Sequence, residues 1–202
     1  MKITKPLQHI KTKDPKRDIT CWFFEYVDIP EYDYNNDIDW KSSKNENILL
    51  DSEIFNKRDV ATHKDNKEKE IFKELSGIIK RLVLEIKENH PIEGLIYSWP
   101  VNTWSESTLK DNENVAFFDI KRDTAGFEMG PHLDNRNTKW TLIMNLKDNI
   151  SSTIIHTSEG DIVSPNKKGS GVFYFNHEDM YHSIGPVEDD ERLTLFWMNI
   201  IS

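Results

Sequence analysis

From residue 91 onward, short β-rich runs follow one another with turn residues between them. This punctuation restricts the fold more than any other feature of the chain. The runs are LIYSW (95–99), VAFFDIK (115–121), WTLIMNL (140–146), STIIHT (152–157), DIV (161–163), GVFYF (171–175) and RLTLFWMNI (192–200), with Gly, Pro, Asn and Asp in the gaps. Many short strands at such spacing predict a sandwich or small barrel. One helix precedes them. Across 67–89, Ile71, Leu75, Ile78, Ile79, Leu82 and Ile86 recur at three- and four-residue steps and form a single apolar stripe. Asp65 and Glu68 are spaced as a capping box at its start, and Pro91 ends it. A helix with one apolar stripe must lie on another element. The expected architecture is therefore mainly β, with the helix flanking the outside of the β core.

Residues 1–66 read as irregular, polar and dotted with aromatics, apart from one strand in CWFFEYV (21–27). DIPEYDYNNDIDW (28–40) reads as a solvated acidic loop. Neither a repeat nor a low-complexity linker divides the 202 residues, which are read as a single domain. The formal net charge of −9 excludes a basic stripe for nucleic acid. No apolar run reaches membrane-spanning length, and MKITKPLQHIKTKD lacks the apolar segment of a signal peptide. Cys21 is the sole cysteine and cannot form an internal disulfide, so a reducing, cytoplasmic setting is expected.

The chemistry lies in PHLDN (131–135). Side chains two apart on a strand share a face, so His132 and Asp134 can present a nitrogen and an oxygen to one point. A metal needs a third ligand, and FNHEDMYHSIGPV offers His177 and His182. His177 heads its own H-x-D, but no histidine follows that pair at a distance to complete a triad. His132 and Asp134 have a long β-rich stretch behind them and are preferred. Two histidines and a carboxylate leave coordination positions open, which suits non-haem Fe(II). Ten residues past His182, Arg192 and Thr194 again share a strand face. A guanidinium beside a hydroxyl makes a bidentate clamp for a carboxylate. No acidic residue follows in the strand, so the expected partner of Arg192 is a bound dicarboxylate. Gly169 and Gly171 read as a tight turn, His156 as an outward-facing strand residue, and Trp140 as core.

Taken in order, His132-Leu133-Asp134, His182 and Arg192-Leu193-Thr194, with spacings of 50 and 10, resemble the motif of the Fe(II)- and 2-oxoglutarate-dependent dioxygenases. The flanking GFEMGPHLDN, WTLIMNL, KKGSGVFYFN, HSIGPV and ERLTLFW are similar to the family's segments at the same places. The resemblance covers about residues 115–200 and points to the prolyl-hydroxylase-like and small-molecule hydroxylase members. It implies a double-stranded β-helix, a cupin-like jelly roll, over 115–200, braced by the helix at 67–89. It implies that His132, Asp134 and His182 bind Fe(II), and that Arg192 and Thr194 hold the distal carboxylate of 2-oxoglutarate. It further implies an oxidoreductase that consumes O2 and 2-oxoglutarate, releases succinate, and hydroxylates its substrate.

The substrate is less legible. Candidate contacts are Trp99, Asn102 and Trp104, the Arg122–Phe127 approach, and Asn135, Arg136 and Asn137 just past the ligands. A compact chain suits a small, amino-acid-like molecule; a peptidyl prolyl-type substrate is the alternative. A cupin-like metal protein that does not use 2-oxoglutarate is the third reading, and Arg192 speaks against it.

Overall fold

The computed structural model describes residues 8–11, 20–25, 28–42, 56–89, 118–134, 138–157, 159–175, 180–188 and 190–200. The described elements are β1 (Gln8–Lys11), β2 (Thr20–Phe24), β3 (Lys41–Ser42), β4 (Arg58–Thr62), α1 (His63–Asn66), α2 (Glu70–Asn89), β5 (Phe118–Asp123), β6 (Met129–His132), β7 (Thr138–Asn145), β8 (Thr153–Thr157), β9 (Gly160–Val163), β10 (Gly171–Phe175), β11 (His182–Ile184) and β12 (Arg192–Ile200). They form an eight-stranded sheet, β1-β2-β10-β7-β12-β5-β4-β3, and a four-stranded sheet, β6-β11-β8-β9. Every described pairing is antiparallel. From β5 on, the chain crosses between the two sheets at every connection except the β8–β9 hairpin, in the order of a double-stranded β-helix with four strands in each sheet. The expected jelly roll is therefore present, with eight strands.

The larger sheet uses its two faces for different tasks. Phe118 and Ile120 of β5, Trp140, Leu142 and Met144 of β7, Phe173 of β10, and Leu193, Leu195 and Trp197 of β12 face outward. The predicted stripe of α2, from Ile71 to Ile86, is buried against them together with Phe72. Period two on the strands and period 3.6 on the helix thus meet in one layer. Phe72 stacks on Phe118 with ring centroids 4.9 Å apart. The opposite face of the sheet lines the barrel interior, where Cys21, Phe23, Ile143, Val172 and Tyr174 meet Ile155 of the smaller sheet.

Three expectations need correction. Residues 1–66 are not irregular throughout: β1 to β4 extend the larger sheet on both sides of the jelly roll. The reason they escape pattern reading is shortness, since two to five residues carry too little alternation. The helix start also differs. Thr62 caps α1 by accepting from the Asp65 amide and donating to the Asp65 carboxylate, and α2 begins only at Glu70. Finally, the acidic loop is not merely solvated. Ile29 and Ile38 are buried, Tyr32, Tyr34 and Trp40 pack on the core, and the buried Asn66 amide bonds the backbone of Asp39 in both directions.

Gly169 turns the chain into β10 with φ +75°, as the tight-turn reading requires. Gly171 lies so close to β7 that a Cβ would stand 2.0 Å from the Ile143 carbonyl oxygen. Among the described residues no helix is long and apolar enough to cross a membrane. LIYSW at 95–99 lies outside the described residues.

Candidate metal centre

His132 ends β6, and its Cα is the register partner of His182 in β11. The two imidazoles lean together with centroids 4.2 Å apart. Asp134 follows two residues later, but the strand has already ended at His132. The shared direction of His132 and Asp134 therefore arises where the chain leaves β6, not from strand alternation. One ligand atom each from His132, Asp134 and His182 lies within 4.8 Å of the others. That spacing suits three ligands around one ion at about 2.0–2.2 Å each.

The surrounding hydrogen bonds decide which atom of each ligand faces the centre. His132 Nδ1 donates to the Gly130 carbonyl at 2.9 Å, which leaves Nε2 with its lone pair directed inward. Thr141 Oγ1 donates to Asp134 Oδ2 at 2.7 Å, and the Tyr174 hydroxyl donates to the same oxygen at 3.1 Å. Oδ2 is thereby saturated, and Oδ1 is turned to His182 Nε2, 3.6 Å away. Thr141 and Tyr174 are register partners on β7 and β10 and reach across the interior to the smaller sheet.

Protonation suits a metal as well. Burial draws the His182 imidazole down to about 4, against the opposing pull of Asp134. Burial lowers His132 too. Both rings are therefore neutral at neutral pH and can offer lone pairs. Burial, reinforced by Asp134, raises the Tyr174 hydroxyl well above its ordinary value, so it remains a donor. Two neutral imidazoles and one carboxylate, oriented and largely shielded, fit a divalent ion such as Fe(II) with positions left open.

Arg192 stands on the same inner face, 2 % exposed. The expectation that it lacks an acidic partner is wrong. Its Nη1 donates to Asp123 Oδ2 at 3.1 Å, and its Nη2 donates to Thr153 Oγ1 at 3.0 Å. Asp123 comes from β5, the neighbouring strand, where the search along β12 alone does not look. Arg58 of β4 closes on the same carboxylate from the other side, Nε to Oδ1 at 2.5 Å and Nη2 to Oδ2 at 3.0 Å. Its guanidinium also lies 4.2 Å from the centroid of the Phe127 ring. Burial opposes ionisation of Asp123, yet the two guanidinium groups hold its carboxyl below the usual range. Among the described residues the buried Arg192 Nε has no hydrogen-bond partner, so the group keeps one donor for something else. Thr194, 1 % exposed, shares this face.

β8 measures the distance between these two features. Thr153 bonds Arg192, and Ile155, two residues on, is the register partner of His182. Two residues of strand span about 7 Å. The guanidinium and the ligand cluster are thus separated by roughly the reach of a short diacid.

The candidate substrate residues are placed differently. Arg122 faces outward, bonded to Asn35 and Asp59 and stacked over Trp40, so it does not line the site. Phe127 is buried with Ile184 and Val187. Trp99, Asn102, Trp104, Asn135, Arg136, Asn137 and His177 lie outside the described residues. His156 is more than an outward-facing strand residue: it bonds Asp161 at 2.7 Å and Ser183 at 2.8 Å across three strands.

No family model matches the sequence, and no curated protein matches it. Solved structures do match. A prolyl-4-hydroxylase of Pseudomonas putida is similar over 72% of this chain and 73% of its own, with 14% identity and a TM-score of 0.51. A viral collagen prolyl hydroxylase from Paramecium bursaria Chlorella virus-1 aligns over 64% of this chain and 74% of its own, at 15% identity and a TM-score of 0.45. An oxidoreductase of the 2OG-Fe(II) oxygenase family from Burkholderia pseudomallei aligns over 41% of this chain, which spans 42% of that protein, at 19% identity and a TM-score of 0.36. The chain therefore has the fold of the Pseudomonas putida prolyl-4-hydroxylase.

Proposed function

We propose that this protein is an Fe(II)- and 2-oxoglutarate-dependent oxygenase that hydroxylates a small amino-acid-like molecule. One observation carries the reading. The His132–Asp134–His182 cluster and the buried Arg192 face one interior, spaced along β8 for a diacid that bridges them.

In this reading His132 and His182 supply Nε2, and Asp134 supplies Oδ1. Thr141 and Tyr174 hold the carboxylate so that it presents one oxygen. Arg192 Nε and Thr194 receive the distal carboxylate of 2-oxoglutarate, while Asp123 and Thr153 fix the guanidinium. When bound, iron would supply the oxygen chemistry that couples decarboxylation of 2-oxoglutarate to oxidation of the substrate. The protein's own contribution is to orient the acid and keep water from its reactive end.

A peptidyl prolyl-type substrate is the second reading, prompted by the fold shared with a prolyl-4-hydroxylase. Succinate release from 2-oxoglutarate tests the proposal. A screen of free amino acids beside proline-containing peptides separates the two substrates, because only the true substrate raises succinate and gains one oxygen atom by mass. Wild-type protein loaded with Fe(II) that releases no succinate under any substrate sinks the oxygenase reading. It would leave a cupin-like metal protein in its place.

A further inference from the structure

Two guanidinium groups, those of Arg58 and Arg192, share the single carboxylate of Asp123 inside the barrel. Lys121 adds another cation. It lies on β5 two residues before Asp123 and therefore on the same inner face, as the register partner of Thr194 on β12 and Val60 on β4. The residue is half-buried. Its Nζ rests 3.2 Å from the centroid of the Phe196 ring, and among the described residues no carboxylate forms an ion pair with it.

Position along β12 says what this ammonium faces. Arg192, Thr194 and Phe196 follow one another on the inner face. The next position on that face, 198, is the register partner of Thr141, which holds Asp134. By lying over Phe196 rather than Thr194, Lys121 Nζ stands past the guanidinium in the direction of the metal ligands. Burial and the nearby Arg58 draw this ammonium down to about 7 although Asp119, Asp123 and Asp134 pull the other way. A bound anion beside it would relieve that cost.

We propose that Lys121 is a second cationic contact for the acidic co-substrate and meets the carboxylate at its metal end, while Arg192 meets the distal one. The inference rests on the 2-oxoglutarate reading and deepens it. The two cations then divide the work: Lys121 recognises any 2-keto acid, and Arg192 selects those with a second carboxylate. A lysine that merely packs on Phe196 would do neither.

The test is calorimetric titration of the Mn(II)-loaded protein, without oxygen, using 2-oxoglutarate and 2-oxobutyrate, which lacks the distal carboxylate. Lys121→Met is expected to weaken both acids by about tenfold or more, and Lys121→Arg to stay within about threefold of wild type. Arg192→Ala is expected to weaken 2-oxoglutarate and spare 2-oxobutyrate. Thermal melts and prior Mn(II) titration establish that each variant is folded and loaded. Unchanged binding by Lys121→Met overturns the assignment. A loss for 2-oxoglutarate alone overturns the placement at the metal end, and a loss of Mn(II) affinity shows that the lysine acts on the ligands instead. If wild type binds neither acid, the 2-oxoglutarate reading itself fails and the lysine's role falls with it.

Discussion

Thr141 donates a 2.7 Å hydrogen bond to Oδ2 of Asp134, and that bond settles which carboxylate oxygen faces the two histidines. A ligand oriented from outside binds metal with less entropy to lose. Thr141→Val preserves shape and removes the donor. Metal affinity is expected to fall by about 10- to 100-fold, with little change in thermal stability. Titration with Mn(II) or Co(II) checks this, and unchanged affinity would show that Asp134 needs no such support.

Arg192→Ala is expected to cost about 30- to several-thousand-fold in apparent 2-oxoglutarate affinity. Arg192→Lys recovers only part, because lysine cannot hold Asp123, Thr153 and an incoming carboxylate with one planar fork. Anaerobic titration of the Fe(II) protein, followed by the visible band of a chelating keto acid, gives the number. An Arg192→Ala protein that binds as wild type does would sink the clamp.

Asp123 makes stability depend on pH in a defined direction. Its folded carboxyl is held below the usual range, so the unfolded chain takes up a proton first as pH falls. The stabilisation is complete above the unfolded value of about 3.9 and is lost as pH drops through the folded value. Asp123→Asn leaves two buried guanidinium groups without their anion. It should lower stability at pH 7 by about 3–5 kcal/mol. The gap to wild type should narrow below about pH 4. Urea unfolding at pH 7, 5 and 3 measures it; a gap that is constant with pH refutes the electrostatic account.

Leu75 lies at the centre of the α2 stripe with no exposure. Leu75→Ala should cost about 2–5 kcal/mol. Metal affinity of the folded fraction should not change, since the helix covers the face of the sheet opposite the ligands. A melt combined with metal titration separates the two effects, and a parallel loss of metal affinity would contradict the two-faced sheet.

Features with long, regular signals were legible in the sequence. The stripe from Ile71 to Ile86 spans several helical turns, and β10 and β12 lie where their β-branched and aromatic runs place them. His132, Asp134 and His182, which the sequence groups by a rare and ordered spacing, lie together in the fold. What stayed hidden is pairing between distant strands. Asp123 as the partner of Arg192 requires knowing that β5 lies beside β12, and Arg58 requires that a five-residue strand joins the far edge of β5. Thr141 and Tyr174 gave no signal, being ordinary strand residues until β7 and β10 are placed in register over Asp134.

The placement of β4 sets an upper bound on how much of this protein can be cut away. A fragment starting at Phe118 would keep His132, Asp134 and His182 and both Arg192 and Lys121. It would nevertheless lose the strand that covers the outer edge of β5, exposing a row of unpaired backbone groups open to another copy. It would also lose α2 and uncover Trp140 and Trp197. Expression of such a minimal barrel should give aggregates; a fragment that also retains 56–89 keeps the seal on β5 and the lid of the sheet, but still bares the edge of β10 that β2 covers.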